Sequence, residues 1–285
     1  MPAEPPIEVP SRLSEAYALL AAGPIVPIAG GTDIMVRITG ELGPLPERML
    51  DLSRLDALEG VALELGTLVL GARTTYTEIR RSALCREHLP ALVGAAATVG
   101  AVQIQNRGTL GGNIATASPA GDTLPVLLAT DAEIVVGSHR GERIVPAVAF
   151  FPAYRRTALA PDELILRVRI PLLTGREVRF RKVGTRRAQA ISKVVMAVSW
   201  RSHGKTAGWS DVRVALGSVA ATPIRAAGAE AVLEGARPTP ETADAAAEAL
   251  AAELRPIDDV RSTAEYRRVV SARILHRIVR DAGSW

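Results

Sequence analysis

Two glycine pairs are the residues whose type and spacing best suit the binding of phosphate. The first pair lies in Pro27-Ile28-Ala29-Gly30-Gly31-Thr32-Asp33-Ile34, and the second lies in Thr109-Leu110-Gly111-Gly112-Asn113. Glycine adopts positive φ angles at little cost and lets an oxyanion approach the backbone, so each pair predicts a nest of N–H donors. Thr32, Thr109 and the amide of Asn113 can add side-chain donors. Together the two segments predict a grip on the diphosphate of a dinucleotide.

Neither glycine pair belongs to a common nucleotide-binding motif. The GxGxxG spacing of Rossmann folds and the GxxxxGK[ST] spacing of P-loops are both missing from the sequence around them. Either pair alone is more typical of a hairpin or a β-bulge. The prediction of a phosphate site therefore depends on having two such segments, each preceded by an apolar run and flanked by hydroxyl or amide side chains.

Asp122 lies nine residues after Asn113 and has two possible roles. A carboxylate can accept hydrogen bonds from two hydroxyl groups of a sugar or ribityl chain. The same residue can also cap a helix predicted over 123–128. The two roles are compatible, and the sequence leaves both open.

The balance of charges argues against a nucleic-acid-binding protein. The 285 residues include 34 basic and 30 acidic side chains, which gives a net charge of +4. Almost all the basic residues are arginine, and no basic tract is interleaved with aromatic residues as a nucleic-acid-binding face requires.

Cysteine content and apolar segments narrow the remaining classes. Cys85 is the single cysteine, so the chain cannot form an internal disulfide or hold an iron–sulfur cluster, and we predict no metal site. Residues 1–11 have neither the basic region nor the apolar core of a signal peptide. The longest apolar stretch, 91–102, is far shorter than the roughly 18 residues of a membrane span. We therefore expect a soluble cytoplasmic protein.

Hydrophobic spacing and turn residues predict an α+β fold with a boundary near residue 172. Before the boundary, the predicted strands are 25–28 with a continuation at 34–37, a hairpin over 63–71, 133–136 and 164–170, and the predicted helices are 13–20, 77–86, 90–99 and 123–128. After it, the predicted strands are 180–183, 191–200 and 212–216, and the predicted helices are 229–233, 242–254 and 263–279.

Three segments resemble one protein family along essentially the whole chain. They are AGGTDIMV at 29–36, QIQNRGTLGGNIATASPAGDTLPVLLATDAEI at 103–134, and RKVGTRRAQAISKV at 181–194. These segments resemble the FAD-binding, or medium, subunits of molybdenum hydroxylases, which include xanthine, carbon monoxide and nicotinate dehydrogenases. The second segment is long and specific.

The resemblance implies a particular architecture. Residues 1–172 would form a two-lobed FAD-binding domain of the vanillyl-alcohol-oxidase type, with lobes of roughly 1–55 and 56–172. Residues 173–285 would form a C-terminal α+β domain with a small antiparallel sheet and helices. The two glycine segments would be the two loops that bind the FAD diphosphate.

The resemblance also implies roles for single residues. Asp122 stands where the family holds the ribityl chain, and Ile165 matches an apolar residue packed on the isoalloxazine. Val99 matches another apolar flavin contact. Lys182 matches a lysine near the pyrimidine side of the flavin, where a cation would stabilise the reduced, anionic form. The alternative for Lys182 is a surface lysine whose stem covers apolar neighbours.

FAD is expected to be bound noncovalently. The broader flavin fold often attaches FAD through histidine or cysteine. The residues of these types in this chain all lie outside the two glycine segments, and they are His88, His139, His203, His276 and Cys85.

The family resemblance implies an electron-transfer oxidoreductase subunit. A large partner subunit would carry the molybdopterin, and a small partner subunit would carry two [2Fe–2S] clusters that reduce the FAD of this chain. The electrons would then pass to NAD⁺, oxygen or another acceptor. The first loop of carbon monoxide dehydrogenases is similar to Ala-Gly-Gly-His-Ser, whereas this chain has Thr32 and Asp33 in the last two positions. This difference argues against carbon monoxide as the substrate.

The alternative is a stand-alone flavin-dependent oxidoreductase with its own substrate site. Such an enzyme needs an acid–base pair over the flavin. Tyr154 and Glu163 are the candidates, although neither lies in a motif and surface or core packing explains both. Genes for a molybdopterin subunit and a ferredoxin-like subunit beside this one would favour the electron-transfer subunit.

Overall fold

The computed structural model describes residues 5–40, 42–202 and 208–285, and they form three separate sheets with helices packed around them. One sheet is parallel, and the two that follow along the chain are antiparallel. This arrangement confirms the predicted α+β class and the predicted C-terminal antiparallel sheet.

The strands are short in the first sheet and longer in the other two. They are β1 (Ile7–Glu8), β2 (Val26–Ile28), β3 (Met49–Asp51), β4 (Val61–Glu64), β5 (Thr67–Gly71), β6 (Glu133–Ser138), β7 (Gly141–Pro146), β8 (Leu164–Pro171), β9 (Arg176–Val183), β10 (Val194–Ser202), β11 (Trp209–Gly217) and β12 (Ile224–Arg225).

The helices are short until the C-terminal part of the chain. They are α1 (Leu13–Ala21), α2 (Ile34–Thr39), α3 (Tyr76–Arg81), α4 (Ala83–His88), α5 (Pro90–Ala96), α6 (Val102–Gln105), α7 (Leu110–Thr116), α8 (Leu124–Ala129), α9 (Ala227–Leu233), α10 (Pro240–Glu253) and α11 (Ala264–Gly283). Two single 3₁₀ turns cover Asp56–Leu58 and Ala147–Ala149.

The first sheet has the order β1-β3-β2 and carries the first glycine pair at the end of its edge strand β2. Ala16 and Leu20 of α1 pack with Leu50 of β3 in a small core. Leu164 and Leu166 of β8 belong to the same core, so a strand of the second sheet closes it. This shared core fixes the first glycine pair relative to the second sheet.

The second sheet has the order β4-β5-β8-β6-β7, and helices α3–α5, α7 and α8 cover one face. Its core includes Leu70, Leu92, Leu110 and Leu127, all fully buried. Because Leu110 begins α7, burial of this side chain holds the second glycine pair at the edge of the core.

The third sheet has the order β12-β11-β10-β9 and is buried on both faces of β10. Ala197 belongs to the core of the second sheet, whereas Met196 and Val198 face the core formed with α9, α10 and α11. A strand covered on both faces reads as a continuous apolar run, which is why β10 could be predicted from the sequence.

Several sequence predictions about single elements are wrong. The run 34–37 is the helix α2 and does not continue the strand, and none of the residues of α2 is buried. The helix predicted over 77–86 is two helices, because Ser82 ends α3 with an extended backbone and caps α4. Strands β1, β3, β7 and β12 were not predicted.

Candidate functional site

The first glycine pair forms a nest of free N–H groups. Gly31 has a φ angle of +75°, and the N–H groups of residues 30–33 donate to no acceptor within the described part of the chain. Consecutive N–H groups in such a turn form a concave site for an anion. Pro27, Ile28, Ala29, Thr32 and Ile34 lie on either side of the nest, in β2, in the turn itself and at the start of α2.

The second glycine pair has a different conformation from the one predicted. Gly111 and Gly112 lie in the first turn of α7, and neither has a positive φ angle. The N–H of Gly112 donates to Oγ1 of the N-cap Thr109 at 3.1 Å, and that of Gly111 donates to the carbonyl of Ala72 at 2.8 Å. Both glycine N–H groups are therefore used by the protein, and the predicted second nest is wrong.

Close packing explains the glycine at position 111. A Cβ there would lie 2.7 Å from both Cβ and the carbonyl oxygen of Ala72, so only glycine lets α7 approach the chain after β5. Gly112 is exposed, and a Cβ there would meet only Oγ1 of Thr109, at 2.9 Å. Gly112 thus leaves the start of α7 uncovered by side-chain atoms, although the backbone N–H groups of residues 110–113 all donate within the protein.

The two glycine segments lie against each other. A Cβ on Gly30 would be 1.8 Å from the carbonyl oxygen of Arg107, two residues before the N-cap Thr109. Oδ2 of Asp33 accepts a hydrogen bond from Oγ1 of Thr116, in the last turn of α7, at 2.8 Å. The nest and α7 therefore lie side by side, and we refer to the region where they meet as the candidate cleft.

Asn113 presents its amide nitrogen from α7. Its Oδ1 accepts a hydrogen bond from Oγ1 of Thr123 at 2.7 Å, which fixes the orientation of the amide. The amide nitrogen has no acceptor within the described residues, so it remains available as a donor. Asn113 is half-buried, as expected of a side chain that lines a cleft.

Asp122 is buried and bound by the C-terminal domain. Its Oδ2 accepts from Nζ of Lys182 at 2.6 Å, and its Oδ1 accepts a short hydrogen bond from Oγ of Ser192. Burial raises the pKa of the Asp122 carboxyl, and the charge of Lys182 and these hydrogen bonds only partly offset that effect. The N-cap of α8 is Thr123, without a side-chain cap, so the N-cap role proposed for Asp122 is wrong.

Lys182 is a buried member of an ion pair. Its side chain is 10% exposed, and Nζ donates to the carbonyl of Thr98 at 2.9 Å as well as to Asp122. The alternative of a surface lysine is therefore wrong. Because Lys182 lies on β9 and Asp122 and Thr98 lie before residue 172, the pair joins the two parts of the chain.

Val99 and Ile165 belong to the same hydrophobic cluster. Ile165 on β8 is 7% exposed, and Val99, half-buried after α5, packs against the cluster that contains it. The side-chain amide of Gln105 donates to the carbonyl of Val99 at 2.9 Å and holds this turn. The role of Val99 and Ile165 as flavin contacts stays a prediction.

Three residues of the cleft were missed by the sequence analysis. Ser192 and Thr98 hold the Asp122–Lys182 pair, and Tyr76 is buried behind the second glycine segment. Ser192 falls inside the segment 181–194 that resembles the family, which was the available signal. Tyr76 and Thr98 carried no motif.

The residues able to attach a flavin covalently are placed as follows. Cys85 is fully buried on α4, where burial raises the pKa of its thiol. His88 ends α4, His139 pairs with Asp162, and His276 lies in α11. His203 lies outside the described residues. Within the described ranges, no cluster of three or more His, Cys, Asp or Glu could hold a metal ion, and no helix is long and apolar enough to span a membrane.

Two family profiles together match almost the whole chain. The family described as the FAD binding domain in molybdopterin dehydrogenase matches residues 5–173. The family described as the CO dehydrogenase flavoprotein C-terminal domain matches residues 179–282. The predicted boundary at 172 itself stays a prediction.

Individual relatives cover nearly the full length of the chain. The carbon monoxide dehydrogenase medium chain of Hydrogenophaga pseudoflava is 31% identical over 276 residues, which cover 96% of this chain and 95% of that protein. The nicotinate dehydrogenase FAD-subunit of Eubacterium barkeri is 36% identical over 245 residues, covering 83% of this chain and 81% of that protein.

Solved structures have the same fold. Carbon monoxide dehydrogenase from Hydrogenophaga pseudoflava matches with a TM-score of 0.92 at 31% identity, covering 97% of this chain and 96% of that chain. Quinoline 2-oxidoreductase from Pseudomonas putida 86 matches with a TM-score of 0.91 at 26% identity, covering 99% and 98%. The chain therefore belongs to the family of FAD-binding medium subunits of molybdenum hydroxylases, which are oxidoreductases.

Proposed function

We propose that this chain is the flavin subunit of a heteromeric molybdenum hydroxylase, which takes electrons from [2Fe–2S] clusters of a partner and passes them to NAD⁺, oxygen or another acceptor. The observation that carries this proposal is the nest of free N–H groups at 30–33, which lies against the segment that leads into α7. Free donors on one side and polar side chains on the other suit the diphosphate of FAD.

Each part of the cleft has a role in holding FAD. The nest donates to the diphosphate. Gly111 lets α7 pack closely on the chain after β5, and Gly112 leaves the start of α7 open to the ligand, with Thr109 and Asn113 beside it. Asp122 accepts from ribityl hydroxyl groups while Lys182 and Ser192 hold its carboxylate in place. Bound flavin supplies the exchange of one or two electrons that this chain cannot perform with its own side chains.

The partner subunits follow from what the chain lacks. Cys85 is its single cysteine and is buried, so this chain cannot hold the [2Fe–2S] clusters. Membership of the family of medium subunits places the molybdopterin in another chain as well. The curated relatives carry names such as medium chain and FAD-subunit, which describe parts of larger assemblies. We also propose that the complex works in the cytoplasm.

The first loop departs from the sequence of carbon monoxide dehydrogenases. Asp33 stands where the carbon monoxide dehydrogenase sequence has serine. It accepts a hydrogen bond from Thr116 and so connects the two sides of the cleft. Asp33 therefore has a structural use in this chain. The substrate reacts at the molybdenum of another subunit, so no residue of this chain touches it. We propose a substrate other than carbon monoxide from the sequence departure at Thr32 and Asp33 alone.

The stand-alone oxidoreductase has weaker support. Glu163 is held by Arg143 through bonds of 2.7 and 2.6 Å, and hydrogen bonding to Arg143 lowers the pKa of its carboxyl. A carboxylate in that state is a poor general base. Tyr154 is 60% exposed with Arg155 over its ring, as expected of a surface residue.

Acid or heat denaturation of the purified protein tests the noncovalent cofactor. We expect a yellow protein that releases intact FAD into the supernatant, because no histidine or cysteine lies in either glycine segment. Chromatography of the supernatant identifies the flavin. Flavin that stays with the precipitated chain, or FMN in place of FAD, would contradict the proposal.

A further inference from the structure

Tyr76 is a buried tyrosine whose hydroxyl has no partner in the protein. Its side chain is 3% exposed, and its Oη makes no hydrogen bond within the described part of the chain. Oη of Tyr76 is not completely sealed from solvent. Buried tyrosine hydroxyls usually find a partner, and this one is not sealed from solvent, so a partner can reach it.

The ring of Tyr76 lies directly behind the contact between the two glycine segments. The backbone N–H of Tyr76 donates to the carbonyl of Gly108 at 3.1 Å, and a Cβ on Gly108 would be 2.9 Å from the ring of Tyr76. The preceding residue, Arg107, is the one whose carbonyl meets Gly30 of the nest. Tyr76 is therefore separated from the nest by a single stretch of backbone.

The charges around Tyr76 keep its hydroxyl a donor. Burial, and then the nearby carboxylates of Asp33 and Asp122, raise the pKa of the phenol. Neither carboxylate accepts a hydrogen bond from Oη: the partner of Asp33 is Thr116, and the partners of Asp122 are Lys182 and Ser192. The acceptor is missing from the described chain.

We propose that Oη of Tyr76 donates a hydrogen bond to a phosphate oxygen of the bound FAD. This inference rests on the proposed function, and it adds a positioning residue to the cleft. The nest at 30–33 supplies donors from one side, and Tyr76 supplies one more from behind Gly108. The acceptor for Oη is then the same anionic diphosphate to which the nest donates.

The test is Tyr76→Phe, which removes the hydroxyl and keeps the buried ring. Loss of one hydrogen bond to a charged group should weaken FAD binding about tenfold to a hundredfold. Titration of the apoprotein with FAD gives the dissociation constant, and ³¹P NMR of the FAD-saturated protein reports the surroundings of both phosphates. Tyr17→Phe is the matched control, since Tyr17 is partly buried and its hydroxyl lies near Gly137, within the second sheet.

The expected result is a weaker dissociation constant and a moved ³¹P resonance in Tyr76→Phe, with both unchanged in Tyr17→Phe. A dissociation constant within twofold of the wild type overturns the inference, and so does weaker binding with unmoved ³¹P resonances. A wild-type protein that binds no FAD would refute the proposed function itself, which separates the two failures.

Discussion

We expect Gly30→Ala to weaken FAD binding by at least about a hundredfold. The added methyl would lie 1.8 Å from the carbonyl oxygen of Arg107, so the nest and the second glycine segment must move apart. Losing even two hydrogen bonds to a charged diphosphate, at about 1.5 kcal/mol each, accounts for that factor. Fluorescence titration of the apoprotein with FAD measures the loss.

Gly94→Ala is the matched control for this substitution. It adds the same methyl in α5, where the nearest atom outside the helix is a ring carbon of Phe180 at 3.8 Å. We expect full FAD binding there, and thermal unfolding of both apoproteins shows whether they are folded. Full FAD binding by a folded Gly30→Ala protein would mean that contact between the two glycine segments does not form the site.

Lys182→Met is expected to destabilise the protein by about 3–5 kcal/mol at neutral pH. The side chains of Lys182 and Asp122 are 10% and 7% exposed, so the substitution leaves a buried carboxylate without its cation. The double variant Lys182→Met/Asp122→Asn removes that charge and should recover much of the loss. Urea unfolding measures all three proteins.

The destabilisation should depend on pH. Burial already raises the pKa of Asp122, and losing Lys182 raises it further, so the folded state holds a proton that the unfolded state releases. The penalty is then small below the ordinary pKa of an aspartate, about 4, and grows as the pH rises through the raised folded pKa. A pH-independent loss, or one unrelieved by Asp122→Asn, would show that the ion pair does not cause it.

The same variants report on the flavin. If Lys182 lies near the isoalloxazine, its loss leaves the net charge of Asp122 there, and the FAD becomes harder to reduce. Asp122→Asn should shift the midpoint potential in the opposite direction. A redox titration with FAD fully bound measures this, and an unchanged potential in both variants would place the pair away from the ring.

Sequence spacing predicted the elements whose burial follows a simple pattern. Strand β10 is covered on both faces, and α11 has one buried stripe, so both could be predicted. Strand β9 alternates charged and apolar residues at the edge of its sheet, and only its end, 180–183, was predicted. The start of α2 was predicted as a strand because Ile34, Met35 and Val36 are apolar and two of them are β-branched, although the helix packs no buried side chain.

The candidate site could be predicted only where residues are neighbours in the sequence. A glycine pair looks the same whether it supplies a positive φ, as Gly31 does, or close packing, as Gly111 does. The contacts of Tyr76 and Ser192 come from chain segments far apart, and no spacing rule connects them. The pairing of Lys182 with Asp122, 60 residues apart, likewise became visible only in the fold.

Affinity purification of the tagged chain from its native cell, followed by flavin, metal and pterin analysis, tests the central claim most directly. We expect two further chains to copurify, with FAD, molybdenum, molybdopterin and iron present together, and the substrate of the complex to reduce the bound FAD under anaerobic conditions. A chain that purifies alone with FAD, without molybdenum or iron, and reduces an acceptor with its own substrate would contradict the assignment as an electron-transfer subunit.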